Sequence, residues 1–189
     1  MARWEPGAAG RLREAAVELF ARQGYDQTTA AEIAAAAGLT RRTFFRYFPD
    51  KRDVLFAGEA ALERALADAV DEAPEGLSLL SLIGLALDRA SDVFADMPRD
   101  RVRARQAIID SDATLLERQR EKYAALARAM GAALRRRGIG EPAATLAAEC
   151  GSVVFTLALA QWLADGESRP LSVIAAEVLA ELRALDVRR

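Results

Sequence analysis

Histidine is absent from the 189 residues, and cysteine occurs once, at Cys150. Zinc centres and most other transition-metal sites draw on imidazole or clustered thiolates, so no metal site and no cofactor is expected. A lone thiol cannot form an internal disulfide. Cys150 also lies in an apolar run, where a thiol is expected to be packed and unreactive. No serine or cysteine stands beside a base in a defensible nucleophile pattern, and no glycine-rich phosphate loop is present. Carboxylates are plentiful, but they lack the paired spacing of a general acid and base and read as solvated helix faces. The expectation is a protein that is not an enzyme.

Long uncharged runs are also scarce. The longest one near the C-terminus, Cys150 to Ala164, is bounded by Glu149 and Asp165. It is too short for a bilayer and reads as a buried helix, so no membrane partner is expected. The opening residues lack the charged-then-apolar pattern of a secretory leader, and the reducing cytoplasm is the expected compartment. Aromatic residues make up only 6% of the chain, while alanine and leucine recur throughout. Glycine and proline fall mostly between stretches with apolar residues at helical spacing. The expected fold class is therefore all-α, with about nine helices.

Hydrophobic residues at 52% allow a sizeable core, divided between two parts: residues 1–52 and residues 53–189. The first ten residues, with Pro6, Gly7 and Gly10, read as a loose arm. A first helix follows in the spacing of Leu12, Ala15, Ala16, Leu19 and Phe20, and ends at Gly24. Thr29 with Glu32 three residues later forms a capping box for a short second helix through Ile33 to Ala37. The turn Gly38, Leu39, Thr40 leads to a third helix, capped by Thr40 and carrying Arg41 to Phe48. Asp50 is expected to cap a fourth, longer helix to about Val70 with Gly58 inside it. Further helices are expected at about 78–94, 99–110, 113–137, 142–164 and 170–185, with Pro142 and Pro170 at first helical positions.

The net charge of −2 is unremarkable, but its distribution is uneven. Between Gly38 and Arg52 five basic residues (Arg41, Arg42, Arg46, Lys51, Arg52) face Asp50 alone. At about 100° per residue, Phe44 and Phe48 share the core-facing arc of the third helix, with Tyr47 at its edge. The opposite arc centres on Arg42 and Arg46, flanked by Phe45 and Thr43, with Arg41 in the first turn. Two short helices joined by a tight turn, the second basic on its outer face, are the helix-turn-helix arrangement that lays its second helix in the major groove of double-stranded DNA. The expected base readers are Arg41, Arg42, Thr43, Phe45 and Arg46, with Thr28, Thr29, Tyr47 and Lys51 holding phosphates and the capping Thr40 counted among the DNA-binding residues. The competing reading, a three-helix bundle with a solvated basic face, leaves an exposed Phe and three arginines on so short a helix unexplained.

In these residues the chain resembles the TetR family of bacterial repressors: Gly24-Tyr25, Thr28-Thr29, Ile33, Ala36 to Leu39, and Thr40-Arg-Arg-Thr-Phe-Phe-Arg-Tyr-Phe-Pro-Asp-Lys51. The resemblance covers about the first 55 residues. Arg42 departs from it where the family often has Gly, and Phe45 and Tyr47 stand where Tyr and His are common. The resemblance implies a homodimer that places two third helices in successive major grooves of a palindromic operator. Release would follow binding of a small-molecule effector by a C-terminal ligand-binding and dimerisation domain.

That C-terminal part has its own signals. The helix near 142–164 is apolar nearly all round and needs burial on every side, so packing against a two-fold mate together with the last helix is expected. Phe94, Ile108, Tyr123, Phe155, Gln161 and Trp162 are candidates for the wall of an effector pocket, beside the plainer reading of ordinary core. Arg99, Arg101, Arg103 and Arg105 are expected to be solvated or paired with nearby aspartates, unless one or two reach an anionic group on an acyl-chain or acyl-CoA-like effector. The expected function is ligand-responsive transcriptional regulation, as a repressor released by an apolar or amphipathic effector. The alternative is a helical ligand-sensing or protein-interaction dimer without specific DNA binding.

Overall fold

A computed structural model describes residues 7–185, which contain helices and no strand. Most of the expected loose arm lies outside the described residues; within them, helix α1 already begins at Ala8 and runs to Gln23. Its buried residues Leu12, Ala15, Ala16, Leu19 and Phe20 follow the three-and-four spacing of one helix face. Helix α2 (Ala30–Ala36) carries the expected capping box: the Thr29 hydroxyl accepts the Glu32 amide, and the Glu32 carboxylate accepts the Thr29 amide. Gly38 then takes a left-handed conformation (φ 68°), which turns the chain within three residues. The Leu39 amide reaches back to the Ala34 carbonyl at 2.8 Å and closes this turn. Helix α3 (Arg41–Tyr47) follows, with the Thr40 side chain accepting the Thr43 amide at 3.1 Å.

The fourth helix departs from expectation. Asp50 caps no long helix; its amide donates to Asp53, and residues Arg52–Val54 form one 3-10 turn. Val54, Leu55 and Phe56 are all buried, and three consecutive residues span too wide an arc to share one face of an α-helix. Gly58, at φ 103°, is the N-cap rather than an interior residue, and α4 runs only from Glu59 to Asp71. The remaining helices are α5 (Leu79–Ala95), α6 (Arg99–Asp110), α7 (Ala113–Arg136), α8 (Ala143–Trp162) and α9 (Leu171–Ala184). Pro142 and Pro170 are the N-caps of α8 and α9, one position before their expected places.

The chain divides into two compact units whose limits differ from 1–52 and 53–189. The first comprises residues up to Ala57 together with Asp100–Gln119. Its core joins Leu12, Leu19 and Phe20 to Ile33, Phe44 and Phe48, and is completed by Val54 to Phe56 and by Ile108, Ile109 and Leu115 from α6 and the start of α7.

The second unit comprises Gly58–Arg99 and the residues from Arg120 onward. In it α4 packs on α5, and α5 packs on α8 and α9. One face of α8 is buried through Ala144, Ala147, Gly151, Val154, Phe155, Ala158 and Trp162. Gly151 permits this packing, because a Cβ there would stand 2.5 Å from the Met130 Cε and 3.2 Å from the Ile83 Cγ2. The opposite face exposes Leu146, Val153 and Leu157, each more than half accessible. Helix α8 also extends beyond the uncharged run that marks it in sequence, since only Glu149 interrupts the alanine-rich first turns. By length and composition alone it could cross a membrane (mean hydropathy 1.7), but half of that stretch is buried in the protein.

Candidate nucleic-acid interface

Phe44 is fully buried and Phe48 nearly so, their rings 5.5 Å apart, and together they pin α3 against the first unit's core. This anchoring leaves Arg41, Arg42, Phe45, Arg46 and Tyr47 exposed, as the helical spacing predicts. Phe45 stands edge-to-face on Phe44, with ring centroids 5.4 Å apart. The Arg41 guanidinium lies over the Phe45 ring at 5.4 Å, and that of Arg46 over Tyr47 at 5.1 Å. Among the described residues, no acidic side chain forms an ion pair with Arg41, Arg42 or Arg46. The outer face of α3 therefore presents three cations whose charge no carboxylate neutralises, which is the character of a surface that faces phosphates and base edges.

The other candidates around this face are more heavily engaged. Thr40 and Thr43 share a hydroxyl–hydroxyl hydrogen bond at 3.0 Å besides the cap itself. Thr28 is buried, and its hydroxyl donates to the Gly24 carbonyl at 2.8 Å. The Thr29 amide and hydroxyl both donate to Glu32, and these bonds hold the Glu32 carboxyl below its usual pKa. Lys51 donates to the Tyr25 carbonyl at 2.7 Å and sits 4.0 Å from the centre of the Tyr25 ring. Burial, followed by the negative charge of Asp50, pushes the Tyr25 hydroxyl up to about 12. Arg52 pairs with Asp50 at 2.9 Å. The five basic residues of Gly38 to Arg52 thus separate into three outward cations and two occupied ones.

Among the arginines of α6, Arg103 pairs with Asp100 at 3.4 Å as expected, whereas Arg101 and Arg105 have roles that spacing alone did not indicate. Arg101 pairs with Glu14 of α1, and Arg105 donates to the Leu55 carbonyl while its guanidinium lies over the Phe56 ring. Arg118 pairs with Asp53 at 3.3 Å. These bonds fasten α1 and the segment after α3, and so help to position the helix-turn-helix. The sequence signal for this docking is the apolar doublet Ile108-Ile109 followed by Leu115, which needs a core to enter.

Of the pocket candidates, Phe94, Tyr123, Phe155 and Trp162 come together in the second unit. Phe94 lies 6.0 Å from Phe155 and 6.2 Å from Trp162, and Tyr123 lies 6.5 Å from Phe155, measured between ring centroids. Arg99 stacks on Trp162 at 4.7 Å, and its guanidinium donates to the backbone carbonyls of Glu167 and Arg169. Ile108 packs instead in the core of the first unit, and Gln161 is exposed on α8.

Residues 12–57 match the profile of the bacterial regulatory proteins of the tetR family. A stretch of 65 residues, 34% of the chain, is 42% identical to the HTH-type transcriptional regulator TcmR of Streptomyces glaucescens. Such matches span between 28% and 49% of the curated relatives' own lengths. Similarity of fold extends much further. The structure of Thermus thermophilus FadR, a TetR-family repressor in complex with lauroyl-CoA, matches with a TM-score of 0.58 at 24% identity, over 96% of each chain. The SmeT–triclosan complex matches with a TM-score of 0.61 at 20% identity, over 92% of this chain and 90% of that one; SmeT is the repressor of a Stenotrophomonas maltophilia efflux pump. The matched segment thus carries a helix-turn-helix similar to that of the tetR family of bacterial regulatory proteins, and the all-helical fold of those solved structures is shared along the chain.

Proposed function

We propose that the chain is a ligand-responsive transcriptional repressor that binds a palindromic operator as a homodimer through α3. The observation that carries this reading is the outer face of α3, where Arg41, Arg42 and Arg46 are exposed without acidic partners. A face built only for solubility would gain from carboxylates interspersed among its arginines. The apolar face of α8, with Val173 exposed on α9, supplies a surface for a two-fold mate, and a dimer would present two copies of α3 to successive major grooves.

The effector reading rests on the aromatic cluster of Phe94, Tyr123, Phe155 and Trp162, which suits an apolar or amphipathic small molecule. Binding of lauroyl-CoA by FadR and of triclosan by SmeT is in keeping with that class. Regulation would take place where the DNA is, in the cytoplasm.

The experiment is an anisotropy titration against duplexes enriched from a random DNA pool, repeated over a salt series. A DNA-binding protein shows a steep fall of log affinity with log salt. Arg46→Ala should weaken specific binding at least tenfold, within the worth of one good base contact, while far-UV circular dichroism and oligomeric state stay unchanged. Unchanged affinity of Arg46→Ala, or a flat salt dependence, would overturn the assignment.

A further inference from the structure

We infer that Arg41 and Phe45 act as one unit that reads a thymine next to a guanine on the same operator strand. This rests on the reading of α3 as the DNA-facing helix and goes beyond it by naming the bases.

Phe45 is 42% exposed on a helix of seven residues, although its ring is held in place against Phe44. A phenyl ring offers neither charge nor donor, so it cannot serve a phosphate. In the major groove the apolar group within its reach is the C5-methyl of thymine; guanine shows two acceptors, adenine an acceptor and a donor, and cytosine a donor. Arg41 lies one helical turn before Phe45, on the same face, with its guanidinium over the ring. That placement orders a side chain that would otherwise lose rotamer freedom on binding, and keeps its forked donors beside the apolar contact. The forked donors match the O6 and N7 of guanine. The two groups are 5.4 Å apart. Successive bases rise by about 3.4 Å along a strand, and the remaining separation is sideways displacement, so the pair fits one base step.

The aromatic ring has a further consequence for selectivity. Arginine alone would accept guanine in any context, whereas the adjoining ring rewards the methyl group of its neighbour. Uracil and thymine present the same hydrogen-bonding edge and differ only in that methyl, so they separate this reading from hydrogen-bond recognition of the same base.

The test uses the full chain and a duplex enriched by it from a random DNA pool. Each dT in that duplex is replaced singly by dU, and each dG by 7-deaza-dG. One dT adjoining a dG should respond to dU with about a fourfold loss of affinity, the worth of one buried methyl. Its neighbouring dG should respond to 7-deaza-dG with about a tenfold loss. Phe45→Ala should bind the dT and dU duplexes equally, Phe45→Leu should keep part of the preference, and Arg41→Ala should lose the 7-deaza-dG response. Circular dichroism of each variant checks that α3 still folds, and Phe45→Leu serves if Phe45→Ala does not. The inference is overturned if no dT is sensitive to dU, or if folded Phe45→Ala, or Phe45→Leu in its place, keeps the full dT preference. An enriched duplex that is silent to dU overturns the base reading alone; a pool that yields no enriched duplex overturns the DNA-binding proposal and this inference with it.

Discussion

The Lys51 ammonium donates to the Tyr25 carbonyl at 2.7 Å and lies 4.0 Å from the centre of the same residue's ring. The Tyr25 carbonyl also accepts the Thr28 amide at 3.3 Å, so one lysine ties the segment after α3 to the turn that leads into α2. A residue that sequence reading assigns to phosphate is, in the folded chain, a fastening within the helix-turn-helix. Lys51→Ala should cost about 1–2 kcal/mol in urea unfolding, through loss of a charge-assisted hydrogen bond and a cation–π contact. If Lys51 instead serves mainly a phosphate, stability will hold and the slope of log affinity against log salt will fall by about one.

Tyr25 should report this environment directly. Its hydroxyl is pushed up to about 12, so the folded state holds the phenolic proton more tightly than the unfolded chain does. The corresponding stability is fully present below about 10 and is lost as pH rises from there towards 12. Absorbance titration near the tyrosinate band should show one late-titrating tyrosine that disappears in Tyr25→Phe. A Tyr25→Phe titration identical to that of the parent protein would contradict this placement.

Phe44 and its sequence neighbour Phe45 should behave in opposite ways. Phe44 is fully buried between α3 and the rest of the first unit's core, and Phe44→Ala should destabilise that unit by about 3–5 kcal/mol. Phe45→Ala removes an exposed ring and should cost about 1 kcal/mol in the same denaturation experiment. Equal costs would mean that the face of α3 has been placed wrongly.

The exposed leucine and valine of α8 give a test of assembly. Leu157→Glu puts a charge on the face formed by Leu146, Val153 and Leu157. Sedimentation velocity should show a dimer for the parent chain and a monomer for the variant, because an unpaired carboxylate is costly to bury. A variant that remains dimeric would place the interface elsewhere.

Acid should loosen the turn between α8 and α9. Hydrogen bonds from Arg169 hold Glu167 at about 2, well below its ordinary 4.5. A depressed carboxylate contributes stability that is present above 4.5 and lost as pH falls towards 2. Arg169 also reaches Glu177 of α9, and Arg99 donates to the turn's own backbone. Thermal melts should therefore show a steeper decline between pH 4.5 and pH 2 for the parent than for Glu167→Gln. Parallel curves would assign no part of the acid sensitivity to this carboxylate.

Much of the helix-turn-helix is legible in the chain because its determinants are local. The Thr29–Glu32 capping box, the Thr40 cap and the Gly38 turn each involve residues three to five apart, so their partners can be read from neighbouring sequence. Helical spacing by itself likewise separates Phe44 and Phe48 from Arg41, Arg42 and Arg46. The all-α class follows from the same periodicity repeated along the chain.

Tertiary structure decided the matters that depend on distant partners. Lys51 is diverted to a residue 26 positions earlier, Arg101 to Glu14 and Arg105 to Leu55, and no periodicity encodes such pairings. It also assigned Ile108 to the core beside the helix-turn-helix rather than to the aromatic cluster of the second unit. The break at Gly58 has the same origin: α4 could have begun at Asp50 by capping rules, but burying Val54, Leu55 and Phe56 together requires a turn. Local hydrogen bonds and side-chain spacing settle which helices form and which faces they offer; competition for a shared core and for a few long-range hydrogen bonds settles which of those faces remains open to a partner.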